Sequence, residues 1–170
     1  MRWLLIIVGI LVLAVVIVAA VGAALPQNHT ASRTAQLSVP AESVWTVITD
    51  VSKYPEWRKD VTKVEIQSAS PLRWVELSGG DRIAYEATIF EPSAHLVTRI
   101  TDKSLPFGGS WDYRLEPVGN GTKVTITENG EVYNPIFRFV SKFFMGHTAT
   151  IDKYLTALAK RTGDQYARHD

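Results

Sequence analysis

The chain has 170 residues, with 18 Lys and Arg against 17 Asp and Glu and no cysteine. That length holds one domain and an extra segment, and the lack of cysteine excludes disulfide, thiol and thiolate–metal chemistry. Setting Arg2 aside, 17 basic residues balance 17 acidic ones from Pro26 onward, so no nucleic-acid partner is expected and no strong pull to anionic lipid.

Trp3 to Leu25 contains no charged residue. About 20 apolar residues suffice to cross a hydrocarbon core, so residues 1–25 read as a transmembrane anchor. A cleavable signal peptide is the rival, since Val21-Gly22-Ala23 offers small residues for cleavage. The apolar run exceeds the roughly 7–15 residues of a signal, which favours the anchor. Arg2 precedes the run, and no charge follows it until Arg33. The positive-inside rule then puts the N-terminus in the cytoplasm and the domain outside it.

Residues 26–33 are polar and read as a tether. Asn28-His29-Thr30 and Asn120-Gly121-Thr122 both match a glycosylation acceptor, the second being better explained as a hairpin turn. Thr34 to Val39 alternates and predicts a strand. Pro40-Ala-Glu-Ser opens an amphipathic helix through Val44, Trp45, Val47, Ile48 and Val51. Tyr54-Pro55 breaks it, and Pro55-Glu56-Trp57 predicts one turn of a second helix.

Period-two segments follow at Val61–Gln67, Leu72–Leu77, Arg82–Phe90, Leu96–Thr101, Ser110–Glu116 and Thr122–Tyr133. Gly79-Gly80-Asp81, Pro92 to His95 and Val118 to Gly121 turn between them, and Leu105 to Gly109 reads as an apolar, flexible loop. Asn134-Pro135 then caps a helix of roughly 27 residues, about 40 Å long, running to Arg161. Gly163 is its left-handed stop. Its first half is richer in phenylalanine than one packing stripe requires. That surplus points to a greasy cavity or to plain core. The order of elements gives an α+β fold: a curved antiparallel sheet with the helices on one face. The domain spans residues 34–162, and 163–170 form a tail.

Motifs for chemistry are sparse. No H-E-x-x-H, G-x-S-x-G or phosphate loop occurs, so no metal and no cofactor is expected. Of the four histidines only His147 falls in the long helix. Trp111, Tyr113 and Leu115 share one face of their strand, and Val124, Ile126 and Glu128 one face of theirs, so Glu128 faces inward if Trp111, Tyr113, Val124 and Ile126 do. Trp74 and Glu76 share a face too, but on that strand and the next either choice puts a polar group inward or an apolar one outward. An inward Glu76 or Glu128 is costly unless hydrogen-bonded, and burial raises the pKa of such a group. The alternative is a carboxylate at the sheet edge, paired with Arg99 or Arg138 or reached by water.

Pro40-Ala-Glu-Ser-Val-Trp45, Asp50-Val-Ser-Lys-Tyr-Pro-Glu-Trp57, Phe107-Gly-Gly-Ser-Trp111 and the closing helix together resemble the START-like (SRPBCC) superfamily, in its polyketide cyclase/dehydrase-like branch. The resemblance covers about Thr34 to Leu158. It implies a helix-grip fold, with about seven antiparallel strands gripping the C-terminal helix around an apolar cavity. By position it places Trp57 at the cavity mouth and Trp74, Tyr85, Trp111 and Tyr113 on its walls. Phe137, Val140, Phe144 and His147 fall on the helix that roofs it. Glu76 and Glu128 are possible polar groups inside. No catalytic residue is transferred, because the family shares no catalytic motif.

Three readings follow. The first is a membrane-anchored domain that binds or transfers a hydrophobic small molecule or lipid. The second is a cyclase or dehydratase using general acid–base steps, with Glu76, Tyr85 or His147 as candidates. The third is an interaction module with a filled core; no protein partner is identified.

Overall fold

The computed structural model describes residues 2–146 and 148–167. Helix α1 (Arg2–Ala24) is followed by β1 (Asn28–Leu37), α2 (Ala41–Thr49), a 3-10 turn and α3 (Tyr54–Trp57). Six strands come next: β2 (Val61–Ala69), β3 (Leu72–Ser78), β4 (Asp81–Glu91), β5 (His95–Ile100), β6 (Phe107–Val118) and β7 (Gly121–Val132). Helix α4 (Pro135–Val140), a π turn (Ser141–Met145) and α5 (Ala149–Thr162) close the chain. The strands form a seven-stranded antiparallel sheet in the order β1-β7-β6-β5-β4-β3-β2. Six consecutive hairpin-linked strands lie in sequence, and β1 returns to pair with β7. This is the expected α+β, helix-grip arrangement.

The core follows from the two periodicities. Helix α5 buries Ile151, Tyr154, Leu155, Leu158 and Ala159, at three- and one-residue steps that make one face. Helix α2 buries Val44, Trp45 and Ile48 on the same principle. These meet Leu96, Leu115, Val124 and Ile126 from the sheet. Each fully buried aliphatic side chain contributes roughly 1.5–3 kcal/mol. A second cluster of Val51, Tyr54, Val61 and Trp74 fixes α3 against β2 and β3. The Tyr54 hydroxyl donates to the Ile48 carbonyl at 2.7 Å, which ties α3 to α2.

The structure departs from the sequence expectations in three places. The expected tether is mostly strand: β1 starts at Asn28, not Thr34, and pairs with β7 from its first residue. Its inward positions hold His29, Ala31, Arg33 and Ala35, too small or too polar for a hydrophobic alternation. The expected loop at 105–109 is also partly strand, since β6 begins at Phe107 opposite Val132.

The single long helix is in fact two. Asn134 caps α4 as expected, accepting from the Phe137 N–H at 3.1 Å. After the π turn, Gly146 sits at φ 70°, ψ 151°, a conformation favouring glycine that no helix continues through. A fresh helix starts after Thr148, whose carbonyl accepts from the Asp152 N–H at 2.9 Å. Gly163 stops it at φ 85°.

Helix α1 has the length and composition to cross a membrane. Every residue from Arg2 to Ile17 is exposed. Only Val18, Ala19, Gly22 and Leu25 are covered, a stripe at helical spacing that faces α4.

Candidate functional site

A cavity of about 280 Å³ lies between the concave face of the sheet and the segments carrying α3, α4 and α5. Its walls are aromatic. Trp74 and Tyr85, paired across β3 and β4, stack at 5.3 Å between ring centroids. Trp111 and Tyr113, two apart on β6, both meet the ring of Tyr154 from α5, at 5.7 and 5.6 Å. Phe107 and Phe137 lie 6.5 Å apart at the outer end, beside Gly146 and Thr150.

The inner end is charged. Glu76 is 2 % exposed. Its Oε1 accepts from the Trp74 indole N–H at 2.9 Å and from the Arg58 guanidinium at 3.2 Å. Arg58 also donates to Asp60 at 2.8 Å. Its guanidinium lies 4.8 Å from the centroid of Tyr54 and 5.4 Å from that of Tyr154. Burial opposes the charge on Arg58, but Glu76 and Asp60 more than offset it and hold the group protonated. Burial pushes the Tyr54, Tyr85 and Tyr113 hydroxyls well above their ordinary value and Tyr154 to about 12. These phenols keep their protons at neutral pH.

A second polar group stands toward the outer end. Glu128 on β7 lies opposite Ala31 and Trp111 in the sheet register. Its Oε1 is 3.7 Å from His29 Nε2 on β1, while Oε2 is buried without a hydrogen-bond partner among the described residues. Burial pushes the carboxyl up to about 7. The His29 ring packs over Gly130, its register partner, where any Cβ would collide with it.

Among the residues expected at the site, Trp74, Tyr85, Trp111, Tyr113, Phe137, Glu76 and Glu128 do line the cavity. Trp57 does not. It stands behind the wall, edge-on to Tyr54 and Tyr154 at 5.4 Å each, and its indole N–H is buried without a partner among the described residues. Val140 is half-buried but off the wall; on this segment Phe137 and Ser141, four residues apart, hold the lining positions. His147 and the side chain of Phe144 lie outside the described residues.

Glu76 pairs with Arg58 rather than with Arg99 or Arg138. Arg99 reaches Glu131, and Arg138 donates to two backbone carbonyls. Sequence reasoning missed Arg58 and His29. Arg58 follows a one-turn helix, where no periodicity assigns a face. His29 could have been found by carrying the β1 alternation back from Leu37 in steps of two.

Residues 28–163 match the family described as polyketide cyclase / dehydrase and lipid transport. A sequence search of the curated proteins finds no match. Among solved structures, a START superfamily protein from Mycobacterium smegmatis superposes with a TM-score of 0.61 at 17% identity, over 79% of this chain and 97% of that one. The Zhui aromatase/cyclase from Streptomyces sp. R1128 gives 0.62 at 14% identity, over 80% and 94%. A protein from Thermus thermophilus gives 0.62 at 20% identity, over 79% and 96%. At these identities the likeness shows the shared fold.

Proposed function

From the premise that the chain belongs to the polyketide cyclase/dehydrase and lipid transport family, we propose that it binds a hydrophobic small molecule or lipid in the cavity of its START-like domain, held at a membrane by α1 with the domain on the extracytoplasmic side. The observation that carries this reading is the cavity itself. Its walls carry the rings of Trp74, Tyr85, Trp111, Tyr113 and Tyr154, with Arg58 and Glu76 placed at the inner end and His29 and Glu128 toward the outer end. Ligand sites are built this way, apolar for affinity and sparingly polar for orientation. A volume of about 280 Å³ lies just below the usual range of such sites, roughly 300–1,000 Å³, and suits one ring system or one acyl chain better than a two-chain lipid. Titration of the delipidated full chain with a fluorescent fatty acid, a sterol and an aromatic polyketide-like probe tests it. Saturable uptake of at least one, displaced by the unlabelled compound, is expected. No uptake of any of the three refutes it.

A second reading, a cyclase or dehydratase, has one specific observation in its favour. Glu128 is poised near neutrality beside His29 on the cavity wall, and a general acid or base works best with a pKa near the operating pH. Of the acid–base candidates named from the sequence, Tyr85 is unsuited as a base, since burial raises its pKa further. Glu128→Gln distinguishes the two readings. An enzyme would keep probe binding and lose turnover of a poly-β-ketone substrate by a factor of roughly 10²–10⁴. A carrier shows no turnover in either form.

A further inference from the structure

The outer end of the cavity and the end of α1 are close neighbours, and the lengths involved constrain where both must lie. Taking α1 as the anchor of the proposed function, its 23 residues span about 34 Å at 1.5 Å each. The free stretch Arg2–Ile17, exposed throughout, covers only about 24 Å. A hydrocarbon core is about 30 Å thick, so the free stretch falls short by about 6 Å. The turns that make up the difference, around Val18 to Gly22, are the ones packed against α4.

That packing is tight. A Cβ on Gly22 would collide with the carbonyl of Pro135, the first residue of α4, so the two backbones touch. Arg138, 8 % exposed, donates to the Leu25 carbonyl at 2.7 Å and to the Tyr133 carbonyl at 3.1 Å. It satisfies a carbonyl freed at the C-terminal end of α1 and fastens α4 to that end. Where the last turns of α1 go, α4 goes too.

We propose that α4 and the π turn after it lie in the membrane interface, so that the cavity opens onto the bilayer surface. The exposed side chains there suit that setting. Tyr133, Ile136, Phe137 and Phe143 are 41, 44, 37 and 57 % exposed, an aromatic-rich patch of the kind found at headgroup level. Lys142 beside them is exposed and can extend its ammonium toward lipid phosphates. An element of this composition enters the interface by about 5–10 Å, which matches the shortfall in α1. Phe137 belongs both to this patch and to the cavity wall. A ligand therefore passes between bilayer and cavity without crossing bulk water.

The chain has no native cysteine, so single labels are simple to place. Three full-length variants, Phe143→Cys, Val118→Cys and Leu11→Cys, each carry an environment-sensitive fluorophore in phosphatidylcholine vesicles brominated high or deep on the acyl chains. Val118 ends β6, about 36 Å along the strand from Phe107 at 3.3 Å per residue. The label at 143 should be quenched severalfold by shallow bromines, the label at 118 by neither, and the label at 11 by deep bromines. Quenching at 11 with 143 behaving like 118 overturns the proposal and leaves the anchor in place. No quenching at 11 removes the anchor reading and this proposal with it.

Discussion

Glu128→Gln isolates one buried carboxyl. The variant keeps the size of the side chain and removes its ionisation. In the folded protein burial holds the Glu128 carboxyl at about 7, against an ordinary value of 4.5. The folded state therefore binds more protons than the unfolded state between those two values. Stability from this group is fully present below about pH 4.5, falls as pH rises and is lost above about pH 7. The difference of 2.5 units corresponds to about 3 kcal/mol at 1.36 kcal/mol per unit. With the side chain 19 % exposed, screening by solvent trims this only modestly. The full chain in detergent micelles, unfolded by urea and followed by tryptophan fluorescence, provides the measurement. The variant and the parent should be nearest in stability at about pH 4.5, and the variant should gain about 3 kcal/mol relative to the parent by about pH 8. At typical urea slopes of about 1–3 kcal/mol/M that separates the midpoints by about 1–3 M. A gap that stays flat across this range would show that Glu128 is not held in a dry site.

Three further outcomes are expected. Glu76→Leu leaves the largely buried Arg58 with Asp60 as its remaining ion partner and the Trp74 indole N–H without its acceptor. It should cost up to roughly 3–5 kcal/mol, while Glu76→Leu combined with Arg58→Met should recover most of that, read by the same urea unfolding. Trp111→Ala removes a half-buried ring from a wall that borders a void. It should lose less than the roughly 3–5 kcal/mol of a closely packed aromatic and weaken uptake of the fluorescent probe that binds best by about tenfold, or 1.4 kcal/mol. Asn134→Ala removes the cap on α4 and should cost about 1 kcal/mol in thermal or urea unfolding.

The strand order was legible from the turn signals between period-two segments. On β3 alternation fixed no face, and Trp74, Val75 and Glu76 are all buried, whereas β6 and β7 bury the faces that their large apolar residues marked. Glu128 was found by that rule alone: Val124 and Ile126 are fully buried, and a step of two reaches the carboxylate. The rule failed where the inward residues are small or polar. His29, Ala31 and Ala35 carry β1 inward without a hydrophobic signal, so its first half read as tether. The split of the last helix was hidden by composition. Gly146 is one residue inside an otherwise continuous helical pattern, and an isolated glycine costs only about 1 kcal/mol in a helix. Its positive φ is what decides the break. The alternative of a sheet-edge carboxylate paired with Arg99 or Arg138 failed at Glu76 for a different reason. Its partner Arg58 comes from a separate element 18 residues earlier, and no spacing rule connects the two.

On the proposed reading of α1 as an anchor and the domain as a carrier, the link between them narrows what such a carrier can do. Helix α1 ends at Ala24 and β1 begins at Asn28, so only Leu25, Pro26 and Gln27 lie between them. Three extended residues reach about 10 Å, and even that reach is not free. The Leu25 carbonyl is held by Arg138, and the Gln27 carbonyl accepts from the Val132 N–H at 2.8 Å. Tethered delivery over a distance depends on a flexible linker that spans it. A domain pinned on both sides of a three-residue link cannot shuttle cargo from one membrane to another. If α1 anchors the chain and the cavity takes up a lipid as proposed, the short link suits a domain that withdraws a molecule from the bilayer beneath it and presents or alters it in place.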